Sequence, residues 1–318
     1  VSRHNLSPER PYSPRRQQNG VVSVGLPAFA TELTPGSAAF NNRNDILGYC
    51  KDGANLYGRK YAVMYDLSGL ASGGTSKVIA DWKYLVDNAK VPNVSSVDPA
   101  YMFHNGKRVV AVWGIGFSGR AYTNLEVKNL INFLKNDATY GGNTVLIGCQ
   151  QNWRTNTDTN VKATLLLADI ISPWLVGSYT NTSGVNSWAT SKGVPDKAWC
   201  NTNGKSYLPV MFPGFSWHNK YPSDPLNQIP RVGGQFFWDQ VKADISTVGA
   251  NMLYVAMFDE VDEGTAIFKV TNDPPKPGGA TMFVTYEGKP SDEYLWLAGQ
   301  AGRGLRGEIP VNQTRPAR

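Results

Sequence analysis

The chain has 318 residues, of which 41% are hydrophobic and 18% are charged, so it is long enough to build one large core. Its net charge of +6 comes from the ends: residues 1–20 and 300–318 each carry four Arg and one Glu, which leaves 23 basic and 23 acidic residues between them. A body without a basic excess argues against nucleic acid as a partner. No apolar stretch approaches the ~20 residues that span a bilayer, so no membrane association is expected.

Short apolar runs alternate with amphipathic segments along the chain. This alternation predicts parallel strands joined by crossover helices, and near-continuous hydrophobicity in the runs favours a closed (β/α) barrel over an open sheet. No GxGxxG follows the first run and no GxxxxGKS/T occurs, which removes the main support for a nucleotide-binding sheet. The predicted strands are residues 21–29, 61–67, 109–117, 144–149, 174–179, 207–212 and 252–258. The predicted helices are residues 43–56, 75–88, 125–137, 160–170 and 233–248.

Three regions are expected from these patterns. Residues 1–20 form a basic, Pro- and Arg-rich N-terminal arm, residues 21–299 form the barrel domain, and residues 300–318 form a basic tail. Both ends are predicted to be poorly ordered, because their Pro, Gly and Arg content offers little to bury.

Cysteine and histidine are too sparse for a metal site. The three cysteines, Cys50, Cys149 and Cys200, leave at least one free thiol and match no zinc spacing. No CxxC or HExxH occurs, so we expect neither a metal nor a cofactor. Four N-x-S/T sequons are compatible with a secreted, extracellular protein; they begin at Asn5, Asn93, Asn181 and Asn312.

The run at residues 252–258 ends in four carboxylates within five positions. Two of them, Glu260 and Glu263, are three residues apart, and Asp259 and Asp262 accompany them. Catalytic groups of β/α barrels sit where the strands end, and paired carboxylates are the usual means of cleaving a glycosidic bond. The alternative is an acidic helix N-terminus, in which the carboxylates offset the dipole of a helix beginning at Thr265.

Polar and aromatic residues also follow the other predicted strands, a mixture suited to stacking on sugar rings and binding hydroxyl groups. Singly, each aromatic is more often a packing residue than a ligand platform, and a carboxylate at a strand end is often a cap. Their recurrence at successive strand ends favours a carbohydrate cleft. The candidate contacts are Tyr65, Asp66, Trp113, Trp153, Trp217 and His218, with Asp259 from the carboxylate cluster.

The chain resembles the glycoside hydrolase family 99-like and family 71-like proteins, which include endo-α-mannosidases, α-1,3-glucanases and sequences described as xylosidase/arabinosidase. The resemblance covers about residues 27–299, in the stretches YAVMYDLSGL, VVAVWGIGF, ISPWLVGSY, MFPGFSWHN and, most specifically, MLYVAMFDEVDEGTAIFK. It implies a (β/α)8 TIM-type barrel and a retaining mechanism. The family's Glu-x-x-Glu falls on Glu260, as the base that deprotonates the sugar 2-hydroxyl, and on Glu263, as the proton donor to the leaving oxygen.

Two departures from the family pattern affect these expectations. Val261 and Asp262 stand where the family usually has Trp-His, which makes mannosidase specificity doubtful. The first β/α unit of the barrel has no counterpart, since residues 21–29 match the second strand. Two functions follow: a glycosidase acting on a glycan or polysaccharide, or a lectin-like carbohydrate-binding protein on a barrel with weakened catalysis. A structural or storage role fits the composition but has no support from particular residues.

Overall fold

The structure is a computed structural model that describes residues 23–93, 98–276 and 278–318. The basic arm expected at residues 1–20 therefore lies outside the described residues. The strands are β1 Ser23–Phe29, β2 Lys60–Asp66, β3 Phe103–His104, β4 Lys107–Ile115, β5 Thr144–Cys149, β6 Ile170–Pro173, β7 Ser206–Tyr207, β8 Val210–Met211 and β9 Tyr254–Val255. The α-helices are α1 Ala38–Tyr57, α2 Thr75–Asp87, α3 Asn124–Asn136, α4 Thr159–Leu167, α5 Thr182–Trp188, α6 Val194–Thr202, α7 Gln235–Lys242 and α8 Glu293–Leu305.

A parallel sheet runs in the order β1-β2-β4-β5-β6-β7, and β3 adds a short antiparallel hairpin to β4. A second parallel pair is formed by β8 and β9. One extended segment joins the two sheets, because Leu208 N–H donates to Ile171 O at 2.9 Å while Pro209 O accepts from Tyr254 N–H at 3.0 Å. Residues 206–211 thus pair with β6 on one side and with β9 on the other.

The predicted parallel α/β architecture is confirmed by this topology. Seven extended segments lie side by side, with β1 and β9 at the two ends of the row. Among the residues that the structure describes, no strand pairing joins β1 to β9, so no closed barrel is formed by hydrogen bonds there. The eight-stranded barrel and the loss of its first unit stay predictions.

Local sequence signals explain where the helices begin. Thr123 and Glu126 form a reciprocal capping box at the start of α3, and Asp158 accepts backbone N–H groups at the start of α4. Gly58 ends α1 in the left-handed conformation at φ 61°, where a side chain would be strained. These caps satisfy backbone groups at the helix ends and so fix where the helices begin and end.

Two hydrophobic clusters make up the core of the described chain. The larger lies between the sheet and helices α1 to α6, and the smaller lies around α7 and α8. Strand β8 contributes to both, because Val210 belongs to the first and Met211 to the second, as the alternation of side chains along a strand requires.

Several boundaries differ from the sequence prediction. The strand expected at residues 174–179 is wrong: the strand is Ile170–Pro173, and the helix expected at 160–170 ends at Leu167. The apolar sequence TLLLADIISPWLV has no Gly or Pro between helix and strand, so the pattern gave no boundary there. The run at 252–258 forms only a two-residue strand with half-buried side chains, rather than the long buried strand expected. Helices α5, α6 and α8 were not predicted.

The boundary expected at residue 299 falls within α8. Residues beyond that helix pack against the body: Asn312 O accepts a hydrogen bond from Trp238 Nε1 at 2.9 Å, and Arg315 forms an ion pair with Glu293. Among the helices of the described chain, none is both long and apolar enough to cross a membrane.

Candidate functional site

Asp66 on β2 and Tyr254 on β9 interact electrostatically although these strands are not neighbours in the row. The Asp66 carboxylate, at the end of β2, contributes to raising the pKa of Tyr254 on β9 to about 12, after the larger effect of burial. The pKa of Tyr122 is also raised to about 12, mainly by burial, and the Asp66 carboxylate adds a smaller rise. Because all the main strands are parallel, the loops that follow them gather at this one edge.

The carboxylate cluster lies on an acid loop, defined here as residues 258–268, that follows β9. Its backbone folds back on itself: the N–H groups of Thr265 and Ala266 donate to Glu260 O at 3.1 and 3.0 Å. The N–H of Ile267 donates to Phe258 O at 2.9 Å. No helix begins at Thr265. The alternative interpretation of the acids as helix N-terminal charges is therefore wrong.

Glu260 and Glu263 are half-buried in this loop and their pKa values are both raised. Burial is the main cause for Glu260, followed by the charges of Asp262 and Asp259. Burial is also the main cause for Glu263, followed by the Glu260 carboxylate, while the Lys220 ammonium offsets part of the rise. Two neighbouring carboxyls that resist ionisation in a partly dry site are equipped for proton transfer. Asp259 and Asp262 are exposed.

The loop after β8 carries Trp217, His218 and Lys220 to the acid loop. Trp217 is 37% exposed, and the Lys220 ammonium lies 5.5 Å from the centre of its ring. Both ring nitrogens of His218 are engaged, with Nδ1 2.7 Å from Asp224 O and Nε2 2.9 Å from Ala280 O. His218 therefore fastens two loops together, whereas Trp217 presents an indole face to solvent beside the carboxyl pair.

A second aromatic group lies at the end of β4. Trp113 is partly exposed, packs against Phe117 with ring centres 4.6 Å apart, and meets Trp174 edge-on at 5.6 Å. The Arg120 guanidinium lies over both Trp113 and Phe117. This combination of flat aromatic faces and a charged donor is able to contact a sugar ring and its hydroxyls.

Two candidate contact residues are buried and therefore not open to a ligand at this edge. Tyr65 is fully buried and donates a hydrogen bond to Asp81 on α2 at 2.7 Å, next to the Arg43–Asp81 ion pair. Trp153 is 1% exposed and packs edge-on against Trp199 in the core. Both side chains are engaged in packing on the helix side of the sheet.

Sequence reasoning missed two residues at the site. Lys220 directly follows the PGFSWHN stretch, so its position beside predicted Trp217 was a usable signal. Arg231 supports the acid loop from behind, with Nη2 donating to Gly264 O at 2.8 Å and to Ala266 O at 2.7 Å. Nothing in the local sequence indicates that role.

No group of three or more His, Cys, Asp or Glu side chains is placed to hold a metal ion in the described part of the chain. The cysteines Cys50, Cys149 and Cys200 are all free thiols. Burial raises the pKa of Cys149 well above its usual range and that of Cys200 to about 12, so these two thiols stay protonated at neutral pH.

The chain was compared with protein families, with curated proteins and with solved structures. No protein-family model matches the chain, and a search of curated proteins also finds no match. The chain is similar to the solved structure of the GH99 endo-α-mannosidase from Bacteroides thetaiotaomicron in complex with bis-tris propane, with a TM-score of 0.66 and 16% identity, covering 90% of this chain and 79% of that one. A second structure of that enzyme gives a TM-score of 0.62 at 16% identity, covering 90% and 75%.

A protein described as glycoside hydrolase-like gives a TM-score of 0.60 at 13% identity, covering 86% of this chain and 79% of that one. At sequence identities this low, structural similarity indicates a shared fold but not a shared substrate or shared residue roles. The resemblance predicted from the sequence motifs is confirmed at that level: the chain shares the fold of the family 99 glycoside hydrolases.

Proposed function

We propose that the protein is a retaining glycoside hydrolase that cleaves a glycan or polysaccharide with the Glu260–Glu263 pair. The observation that carries the proposal is the position of both carboxyls, half-buried on the loop that follows β9, where burial and neighbouring carboxylates raise both pKa values. A general acid at neutral pH needs a pKa above that of an ordinary carboxylic acid, and burial beside another carboxylate provides this. The fold shared with family 99 enzymes supports the same reaction class.

Glu263 is the proton donor in this proposal, because its carboxyl combines burial with the repulsion of Glu260. It protonates the leaving oxygen and then activates the water that completes hydrolysis. Glu260 is the base that removes the proton from the sugar 2-hydroxyl, so that this oxygen attacks the anomeric carbon and a 1,2-anhydro sugar forms. Opening of that ring by water restores the original anomeric configuration.

The scaffold for this chemistry is proposed to be a (β/α)8 TIM-type barrel whose first β/α unit is lacking or modified. Support comes from the seven parallel segments in one row and from the fold shared with the family 99 glycoside hydrolases.

The substrate-contacting residues in the proposal are Asp66, Trp113 and Trp217, with Asp259 at the exposed rim of the acid loop. Trp217 supplies a stacking face beside the catalytic pair, and Trp113 supplies another at the end of β4. Tyr65 and Trp153 are left out because both are buried in packing contacts. A glycan substrate is in keeping with an extracellular location, which we retain as part of the proposal.

The proposal is tested by measuring hydrolysis of a panel of α- and β-linked glycans by the wild type and by Glu260→Gln and Glu263→Gln. Loss of Glu263 should reduce turnover by ~10²–10⁴-fold with natural leaving groups and less with activated aryl leaving groups, which need little protonation. Loss of Glu260 should reduce both equally, because its step does not depend on the leaving group. Asp273→Asn, which changes an exposed acid beyond the acid loop, is the matched control.

Wild-type turnover in both Glu variants would refute the catalytic assignment. A wild type that binds glycans without hydrolysing any of them would establish the lectin-like function instead.

A further inference from the structure

Arg231 is a buried arginine that lies directly behind the acid loop. Its side chain is enclosed in the second hydrophobic region, with 1% exposure. The guanidinium carbon lies 4.9 Å from the ring centre of Tyr286 and 4.4 Å from that of Tyr294, so the charge lies against two aromatic rings that meet each other edge-on. Within the described part of the chain, no carboxylate forms an ion pair with it.

Burying the Arg231 guanidinium in this way lowers the free energy of unfolding of the protein. A buried charge without an ionic partner carries a large desolvation cost, and the Nε and Nη1 atoms of Arg231 have no hydrogen-bond partner. The two tyrosine rings and two carbonyl groups offset only part of that cost. An apolar side chain would fill the same space at lower cost, so stability alone does not account for the arginine.

Both carbonyl groups that accept hydrogen bonds from the Arg231 side chain belong to the acid loop. Nη2 donates to Gly264 O and Ala266 O, the carbonyls on either side of Thr265. The hydroxyl of Tyr286, stacked on the guanidinium, donates to Ala266 O at 3.2 Å and to Phe268 O at 2.6 Å. Three carbonyl groups of the loop are thus tied to one rigid unit.

The carboxyl pair is attached to the same stretch of backbone. Gly264 directly follows Glu263, whose own carbonyl accepts a hydrogen bond from Ser216 N–H at 2.7 Å. The N–H groups of Thr265 and Ala266 donate to the carbonyl of Glu260. Movement of the carbonyls held by Arg231 would therefore displace both glutamates, and Glu263 most directly.

We propose that Arg231 is a positioning residue, which fixes how deeply the Glu263 side chain sits in the site by holding the carbonyls of Gly264 and Ala266. The inference rests on the proposed function of the Glu260–Glu263 pair. Arginine suits this role because its planar guanidinium packs against both aromatic rings while one nitrogen reaches two acceptors. The ammonium of lysine has no such plane and is more strongly hydrated.

The test compares Arg231→Lys and Arg231→Met with the wild type by two independent measurements. The first is the pH profile of kcat/KM, and the second is hydrogen–deuterium exchange of peptides covering residues 252–268. Tyr286→Phe, which removes only the hydroxyl that supports the same carbonyls, is the milder variant if either change at residue 231 prevents folding. Arg154→Met is the control, since it breaks an ion pair with the buried Asp196 of α6, and neither residue contacts Arg231, Tyr286 or the acid loop in the described chain.

We expect the variants at residue 231 to lower kcat/KM by roughly 10–100-fold, as small displacements of catalytic groups do. The alkaline limb of the profile should move to lower pH, because Glu263 would gain access to water and lose the effect of burial. Amides of the acid loop should exchange faster while those of α3 are unchanged. Arg154→Met should destabilise the protein and leave both the profile and the acid-loop exchange as they are.

A pH profile and an acid-loop exchange rate that match the wild type in Arg231→Lys, Arg231→Met and Tyr286→Phe would overturn the inference. Failure of the proposed function is distinguishable from this result. If the wild type hydrolyses no glycan, the proposed function falls, and faster exchange confined to the acid loop in the variants still supports the positioning role.

Discussion

The buried carboxyl of Asp244 should make the stability of the protein fall with rising pH, and Asp244→Asn should remove that effect. Asp244 lies in a π-helical segment, Ala243–Val248, that continues α7, and its side chain is 1% exposed. Neither carboxyl oxygen has a hydrogen-bond partner. Burial raises the pKa of Asp244 well above its usual range, and its charge in turn helps raise the pKa values of Tyr179 and Tyr207.

The sign follows from proton counting. In the folded state Asp244 keeps its proton above pH ~4, whereas in the unfolded chain it ionises near pH ~4, so the folded state binds more protons in this window. The free energy of unfolding therefore falls by up to about 1.4 kcal/mol per pH unit from pH ~4 until the folded-state pKa is reached. An asparagine amide resembles the protonated acid in shape and cannot ionise, so it contributes no such slope.

The assay is urea unfolding of the wild type and Asp244→Asn at pH 4, 5, 6 and 7. We expect similar stability at pH 4 and a growing advantage for the variant as pH rises. Carboxyls whose pKa is lowered on folding, such as Asp98 and Glu126, act equally on both proteins and cancel in the difference. A difference that stays constant with pH, or a variant that is less stable at pH 7, would refute the reasoning.

Three further changes test other parts of the structure. Asp262→Asn should move the whole pH profile of hydrolysis to lower pH, because the Asp262 charge raises the pKa of both acid-loop glutamates; an unmoved or raised optimum would contradict this. Trp217→Ala should weaken glycan binding by roughly 1–3 kcal/mol in calorimetry if its exposed face stacks on a sugar, and unchanged affinity would place the site elsewhere. Arg315→Met should lower the free energy of urea unfolding by up to about 3 kcal/mol, because it leaves the buried Glu293 carboxylate with only its longer ion pair to Arg318, at 3.7 Å; a loss below about 0.5 kcal/mol would show that the Arg315–Glu293 pair is negligible.

The sequence predicted the elements that carry strong periodic or apolar patterns. Strand β5 was predicted at its observed bounds, and the amphipathic pattern around α3 placed that helix within a residue at each end. Helices α5 and α6 were missed because a π-helical stretch, Ala189–Gly193, joins them and blurs the 3.6-residue period. Strand β6 was misplaced because no Gly or Pro separates it from α4 and because apolar residues continue beyond its end at residues 174–176.

Some residues of the candidate site could likewise be proposed from the sequence, and others could not. The carboxyl pair could be located because a cluster of acids directly after an apolar run cannot serve packing in the core. The alternation of side chains along β2 was an unused signal: Tyr65 and Asp66 are adjacent in a strand, so only one of them faces the cleft. Arg231 could not be found, because its contacts with Tyr286 and Tyr294 join residues that are more than 50 positions apart.

The extended segment at residues 206–211 connects the two sheets and the two hydrophobic clusters, so a break within it should separate them. It contributes one edge to β6 and the other to β9, and its alternate side chains enter both hydrophobic clusters. A fragment ending before Ser206 would expose the edge of β6, and the remaining fragment would have nothing to align β9 and the acid loop against it. Split-protein reporters and circular permutants of this chain should therefore be opened in the loops beyond α7 or α3, never between Ser206 and Met211.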